Sequence, residues 1–166
     1  MTVAIMMGSG SDYDKIKPAI ELLKSLAVPV ETRVLSAHRS PEETVAYTKQ
    51  LRERGIRVVI AAAGKAAHLP GVVAGLTDLP VIGLPIGTSV MGGMDSLLSM
   101  VQMPSGVPVM TVAIDGAVNA ALSAVRILSL SDDELAQKHR AYIASQRDDV
   151  LRQDEAIQQK EQDGTR

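Results

Sequence analysis

Short apolar stretches alternate with longer segments of helical periodicity along the first 130 residues. The apolar stretches predict five strands, at residues 3–7, 28–35, 56–61, 79–85 and 107–114. The first is unbroken, which is typical of a strand covered on both faces. The spacing of apolar residues elsewhere predicts helices at about 13–26, 93–101 and 116–129. Repeated strand–helix units favour an α/β domain, with a parallel sheet between two helical layers.

One further helix follows the second strand and carries a clear N-terminal signal. Ser40 is a favourable N-cap, Pro41 suits the first helical position, and Glu43 completes a capping box with the serine. Gly55 predicts the end of this helix. After the third strand, the sequence GKAAHLPG at 64–71 is predicted to be a loop, because it combines glycines with a proline.

The composition changes beyond residue 130. Residues 131–166 are polar and helix-prone, with sparse apolar side chains at Leu135, Ile143, Val150 and Leu151. Such a helix is expected to pack on a partner subunit, while its last dozen residues are expected to fray. His139 is expected to be solvated on this helix. The chain is therefore divided into a catalytic domain, 1–130, and a C-terminal helix with its tail, 131–166.

Composition excludes several classes of function. The net charge is −2 and aromatic residues make up 2% of the chain, so neither a basic footprint nor a base-stacking platform for nucleic acid is present. The absence of cysteine excludes thiolate nucleophiles and cysteine-bound zinc. The three histidines are too scattered to predict a metal site. No signal peptide and no membrane-spanning run is recognisable, which predicts a cytoplasmic protein without a membrane partner.

Ligands of such folds bind at the carboxyl ends of the strands, beside a switch in strand order. The first loop there is MGSGSD, whose glycine amides and helix start suit an anion. Ser9 and Ser11 add hydroxyl donors, and Asp12 can accept from ribose hydroxyls. The loop is neither a Walker loop nor a dinucleotide fingerprint, since Tyr13 stands where the third glycine belongs. A simple capped helix start explains it equally well.

The second loop is SAHRS, which comprises Ser36, Ala37, His38, Arg39 and Ser40. The guanidinium of Arg39 matches the geometry of a phosphate. The imidazole of His38 can exchange a proton near neutral pH. The alternative is a loop histidine that makes one structural hydrogen bond, but the neighbouring anion loop weakens this interpretation.

The third loop is AAAGKAAHLPG at 61–71, where small residues leave space for a flat ligand. His68 either lines that space or holds Leu69 and Pro70 in place, and the structural role is favoured. Gly87 begins a further candidate, GTSVM, which is similar to a nucleophile elbow but lacks the closing glycine.

Five motifs in order resemble those of the 5-(carboxyamino)imidazole ribonucleotide mutase family of purine biosynthesis. They are MGSGSD, SAHRSP, AGKAAHLPG, DSLLSMVQMPSGVPV and NAALSAVRIL. The resemblance implies a flavodoxin-like three-layer αβα fold and a homo-octamer with active sites near subunit junctions. It implies an isomerase that moves a carboxylate from the exocyclic nitrogen of an aminoimidazole ribonucleotide to ring carbon 4. Neither a cofactor nor a metal is implied.

The resemblance also implies roles for individual residues. His38 is the expected acid–base residue. The ribose phosphate is expected to contact Gly8, Ser9, Ser11, Asp12 and Arg39. The imidazole and the migrating carboxylate are expected to lie among Ser36, Ala37, Gly64, Lys65, His68 and Leu69.

The chain departs from the family at one position. The mutases usually have two adjacent glycines where this chain has Gly64 and Lys65. A related branch carboxylates the aminoimidazole ribonucleotide directly with carbon dioxide, has a basic residue thereabouts and favours MPSG, found here at 103–106. That branch lacks the HLP of 68–70 and has lysine in place of Arg39.

Three hypotheses follow. The mutase is the leading one, and Lys65 supports a carbon dioxide-dependent phosphoribosylaminoimidazole carboxylase as the alternative. A non-catalytic nucleotide-binding module is the third. Lys65 could also point to solvent and contribute only its backbone amide.

Overall fold

A computed structural model describes residues 1–164 of the chain. Its centre is a five-stranded parallel sheet in the spatial order β2-β1-β3-β4-β5. The strands are β1 (Thr2–Met7), β2 (Val30–Val34), β3 (Ile56–Gly64), β4 (Val81–Ile86) and β5 (Met110–Thr111). The helices are α1 (Tyr13–Ser25), α2 (Pro41–Lys49), α3 (Leu69–Ala74), α4 (Met94–Val101), α5 (Ala117–Leu128) and α6 (Asp133–Gly164). This is the flavodoxin-like strand order, which confirms the predicted fold class.

The three layers follow from the alternation of side chains along the buried strands. Val3, Ile5 and Met7 point to one face of the sheet, where they pack with α1 and α5. Ala4 and Met6 point to the other face, where they pack with α2, α3 and α4. All five side chains are buried, so β1 is covered on both faces, as its unbroken apolar run predicts.

The spatial order of the strands determines where the site lies. The chain passes from β1 to β2 on one side and then crosses β1 to form β3 on its other side. The loops after β1, β2 and β3 therefore leave the same edge of the sheet around a switch point. Such a switch opens a crevice at the carboxyl ends of the strands.

Two predictions about α2 are wrong. Ser40 makes no side-chain cap bond; its hydroxyl accepts from the amide of Ser36 at 2.9 Å and donates to the Ser36 carbonyl at 3.2 Å. The serine therefore braces the SAHRS loop, and the predicted capping box does not form. The helix also ends at Lys49 instead of near Gly55, because the chain first makes a series of turns before Gly55 adopts a φ of +74°.

Two other elements differ from their predictions. The segment predicted as a loop at 64–71 includes the start of α3, since Pro70 takes an early helical position where its missing N–H is harmless. The fifth strand has two residues instead of eight. Pro108 cannot donate to a strand ladder. The chain beyond β5 stays close to β4 through separate bonds, such as Val112 N to Gly83 O at 3.0 Å.

The C-terminal helix also differs from two of the expectations drawn from the sequence. It runs from Asp133 to Gly164, so the residues expected to fray are helical up to that point; residues 165 and 166 lie outside the described part of the chain. His139 is buried instead of solvated, with 8% of its surface exposed. The packing of α6 on a neighbouring subunit stays a prediction. Within residues 1–164, the helices are all too short or too polar to cross a membrane.

The burial of His139 predicts a pH-dependent stability. Desolvation and the nearby Arg126 lower the pKa of His139 below its ordinary value of 6.5. Below that value the unfolded chain binds the proton more readily, so stability is lost as pH falls from about 6.5. We expect His139→Leu to lose less stability than the wild type between pH 7.5 and 5.5, measured by urea unfolding. An identical pH dependence in both proteins would contradict this.

Candidate active site

The four loops after β1 to β4 enclose a single cavity of about 520 Å³ at the carboxyl edge of the sheet. All twelve residues predicted for the site line it: Gly8, Ser9, Ser11, Asp12, Ser36, Ala37, His38, Arg39, Gly64, Lys65, His68 and Leu69. Five further lining residues were not predicted: Ala63, Ala66, Ile86, Gly87 and Thr88. The last three lie at the end of β4, where Ile86 is its final residue and Gly87 and Thr88 follow it. These three residues would have been predicted if the expectation that ligands bind at the carboxyl ends of strands had been applied to β4 as well.

The first loop forms a short 3₁₀ turn, Gly10–Asp12, whose N-cap is Ser9. The Ser9 hydroxyl accepts from the Ser11 amide at 3.3 Å and from the Ser11 hydroxyl at 2.8 Å. Burial raises the pKa of the Asp12 carboxyl, while a hydrogen bond from Ser11 opposes that shift. The turn thus presents two hydroxyls and a partly desolvated carboxyl to the cavity, a set that suits a phosphorylated ribose.

Arg39 connects the second loop to the first. Its Nη2 donates to the Gly8 carbonyl at 2.8 Å, and its backbone amide donates to Ser36 Oγ at 3.2 Å. These bonds hold the guanidinium at the mouth of the first loop. Further N–H groups of the fork remain for an anion, which is the geometry that guanidinium groups use for phosphate.

His38 and His68 form the central contact of the site. His38 Nε2 lies 2.6 Å from His68 Nδ1, and the two rings meet edge to face with an interplanar angle of 82°. A hydrogen bond between two ring nitrogens needs one proton, held by either ring. His68 is the N-cap residue of α3, but its side chain makes no cap bond and the residue lines the cavity. Both rings are exposed to the cavity.

The third loop brings small residues close to the fourth. A Cβ atom on Gly64 would lie 3.3 Å from Thr88 Cγ2, so glycine permits the close approach of these two walls. Lys65 adopts a φ of +57°, in the left-handed region that favours glycine. Lys65 is exposed and is one of the residues that line the cavity, and its side chain has no ion-pair or hydrogen-bond partner within residues 1–164. The cavity lining therefore includes a lysine whose side chain is not engaged by another residue of the described chain.

No group of three or more metal-ligating side chains comes together within residues 1–164. The absence of a cofactor remains an expectation from the family resemblance.

Comparisons with known proteins agree with the geometry. A family model described as AIR carboxylase matches residues 2–149. The N5-carboxyaminoimidazole ribonucleotide mutase of Saccharolobus solfataricus is 55% identical over 149 residues, which are 90% of this chain and 94% of the relative. The mutase of Aquifex aeolicus is 57% identical over 136 residues, 82% of this chain and 81% of the relative.

Two other relatives are informative. The chloroplastic phosphoribosylaminoimidazole carboxylase of Vigna aconitifolia is 48% identical over 156 residues, 94% of this chain but 28% of that longer protein. The crystal structure of Treponema denticola PurE superposes with a TM-score of 0.85 at 31% identity, covering 92% of this chain and 96% of that one.

The backbone of Lys65 generates a stability prediction. A left-handed conformation costs a non-glycine residue about 1–2 kcal/mol, so Lys65→Gly should leave stability unchanged or raise it by up to about 1 kcal/mol. The same substitution at Lys24, in the last turn of α1, should destabilise by about 0.5–1 kcal/mol. Urea unfolding of both variants makes the comparison. Equal destabilisation in the two variants would contradict the assigned backbone strain.

Proposed function

Because the chain belongs to the AIR carboxylase family, we propose that it is an isomerase that converts 5-(carboxyamino)imidazole ribonucleotide to 5-aminoimidazole-4-carboxylate ribonucleotide. The relatives that carry the mutase name align along most of their own length with this chain. The observation that carries the proposal is the His38–His68 pair, placed in one cavity with an anion-binding loop and Arg39.

The reaction needs proton transfers in two directions. When the bond between the exocyclic nitrogen and the carboxylate breaks, carbon dioxide leaves and the nitrogen takes up one proton. Ring carbon 4 then forms a bond to the carbon dioxide and gives up its own proton. The two transfers cancel, so one protonated imidazole that gives its proton to the nitrogen and then takes one back from carbon 4 can serve both steps. We assign this role to His38.

His68 supports that role through the short contact between the rings. The contact of 2.6 Å lets one proton lie between His38 and His68 before His38 gives it to the nitrogen and after carbon 4 returns it. Positioned acid–base catalysis of this kind contributes typically about 10²–10⁴-fold in rate.

The remaining residues bind and enclose the substrate. The ribose phosphate lies against Gly8, Ser9, Ser11 and Asp12, with Arg39 neutralising its charge. The imidazole lies among the loops that carry Ser36, Ala37, Gly64, Lys65, His68 and Leu69. Small residues in the third loop allow its backbone to approach the fourth loop closely, as Gly64 does at Thr88, and these walls retain the carbon dioxide between its release and its capture. No step requires a cofactor.

A direct carboxylase is the second candidate, and Lys65 is the observation that favours it. An uncommitted ammonium lining the cavity could attract a carboxylate, and the Vigna aconitifolia relative carries the carboxylase name. This reaction would start from the aminoimidazole ribonucleotide and dissolved carbon dioxide, and it would release one proton. The HLP sequence at 68–70 and Arg39 favour the mutase.

Two parallel ultraviolet assays distinguish the candidates. One starts from freshly prepared carboxyamino ribonucleotide and the other from the aminoimidazole ribonucleotide with bicarbonate. We expect fast formation of the carboxylated imidazole only in the first, and a loss of about 10²–10⁴-fold in His38→Asn. Fast product only in the second would establish the carboxylase. Tight nucleotide binding without either turnover would leave a binding module.

We further propose that the chain acts in the cytoplasm as a homo-octamer. The support is an apolar surface, here called the α4 face, that a single subunit leaves exposed. Met94, Leu98 and Val101 lie at helical spacing on α4 and are 46%, 47% and 52% exposed. Val90 and Met91, in the preceding loop, are 81% and 56% exposed. A contiguous apolar surface of this kind commonly marks a subunit interface.

Light scattering tests the assembly. We expect a mass of eight subunits for the wild type and a smaller species for Leu98→Glu, since the charge would be buried at the interface. Leu130→Glu is the matched control, because Leu130 is 88% exposed and lies outside the α4 face. A monomeric wild type would overturn the proposal, and equal masses for the two variants would remove the α4 face from the interface.

A further inference from the structure

Side chains from two distant elements hold both polar groups of the Gly87 backbone. The Gly87 amide donates to Asp115 Oδ1 at 2.8 Å. Lys15 Nζ donates to the Gly87 carbonyl at 2.7 Å. The same ammonium contacts both carboxylate oxygens of Asp115, at 3.2 and 3.0 Å. These three residues form a closed arrangement, called here the Gly87 clamp.

The clamp replaces a strand ladder that the sheet lacks at this point. β4 ends at Ile86, and β5 pairs only with Ile82 and Gly83, further back along the strand. The backbone of Gly87 therefore has no neighbouring strand to bind it. Lys15 and Asp115 supply the missing donor and acceptor, and so they determine where the chain goes after β4.

The clamp allows little adjustment. A Cβ atom on Gly87 would lie 2.7 Å from Asp115 Oδ2, so the carboxylate packs directly against the glycine. Asp115 has a φ of +55°, a left-handed conformation that aspartate and asparagine tolerate better than most residues. Its own amide donates to the Pro85 carbonyl at 2.9 Å. The loop before α5 is thus bent so that the Asp115 carboxylate reaches the Gly87 amide in the cavity wall.

The clamped peptide belongs to the active-site cavity. Gly87 and Thr88 line it, opposite the third loop, where Thr88 approaches Gly64. Lys15 lies in the first turn of α1, directly after the loop that ends at Asp12. Its charge also acts on Asp12. The clamp thus ties the wall after β4 to the helix that follows the anion-binding loop.

We propose that Lys15 and Asp115 are positioning residues for the carboxylate transfer: they hold the Gly87–Thr88 wall against the third loop, so that carbon dioxide stays in the cavity between its release and its capture. This inference rests on the proposed function. Neither residue is assigned a contact with the substrate. An exposed ion pair contributes little to folding, so the position of the wall is the main quantity that the clamp determines.

The ratio of the decarboxylated to the carboxylated product tests the proposal, because this ratio does not depend on what fraction of the enzyme is folded. Freshly prepared carboxyamino ribonucleotide is supplied to the full-length wild type, Lys15→Met and Asp115→Asn. The carboxylated imidazole and the free aminoimidazole ribonucleotide are then quantified, after subtraction of spontaneous decarboxylation. We expect both variants to release several times more of the decarboxylated product per turnover, with kcat lower by roughly tenfold or more.

Two comparisons make the result specific. Asp115→Asn keeps a left-handed-tolerant residue and an acceptor for the Gly87 amide, so its leakage should be the smaller of the two. Arg52→Met is the control, because it removes a similar exposed ion pair, Arg52 Nε to Asp78 Oδ1 at 2.7 Å. Arg52 precedes β3 and Asp78 precedes β4, so this pair lies at the amino ends of the strands, away from the cavity. The product ratio of this variant should equal that of the wild type. Unchanged ratios in both clamp variants, or an equal change in Arg52→Met, would overturn the proposal.

Amide hydrogen exchange separates this proposal from the proposed function. If the clamp holds the wall, the Gly87 amide should exchange at least about tenfold faster in Lys15→Met than in the wild type. Unchanged exchange would overturn the clamp even in an active mutase. If the wild type forms no carboxylated product, the proposed function fails, and faster exchange would still support the clamp as the element that positions the wall.

Discussion

The parallel pairing of β1 with both β2 and β3 is the constraint on which the cavity depends. Met7, the last residue of β1, is in register with Val34 and Ala62. The ladder continues one step further, because Leu35 N donates to Met7 O at 2.9 Å and Gly8 N donates to Ala62 O at 3.1 Å. Three loops thus begin within hydrogen-bonding distance of one another, and no flexible linker separates the groups that must act together.

That register explains why two histidines 30 positions apart can share a proton. Each ring lies on a short loop that starts from a fixed strand end, so the N–N distance follows from the sheet and not from either loop alone. A pair of this kind suits a reaction that takes up and returns one proton.

Two non-glycine residues with left-handed backbones lie at or beside this cavity. Lys65 follows β3, and Asp115 precedes α5. Strained conformations persist where the surroundings determine them and are often found at functional sites. The contacts that hold Asp115 in this conformation are the hydrogen bonds of its amide to Pro85 and of its carboxylate to Gly87. The Lys65 side chain forms no hydrogen bond or ion pair within residues 1–164.

The sequence by itself determined the layered α/β class, the order of the five strands and the three loops at the first three strand ends, because apolar periodicity and strand ends are local properties of the chain. The family resemblance, and not periodicity, implied several of the twelve site residues, and α3 was not predicted. Tertiary structure decided the rest. Ser40 is the N-cap residue of α2 as predicted, but its hydroxyl braces the SAHRS loop instead of making a cap bond. His139, predicted to be solvated, is buried near Arg126 of α5. The histidine pair and the wall at Gly87 depend on contacts across 30 to 72 residues, which only the register of the sheet brings together.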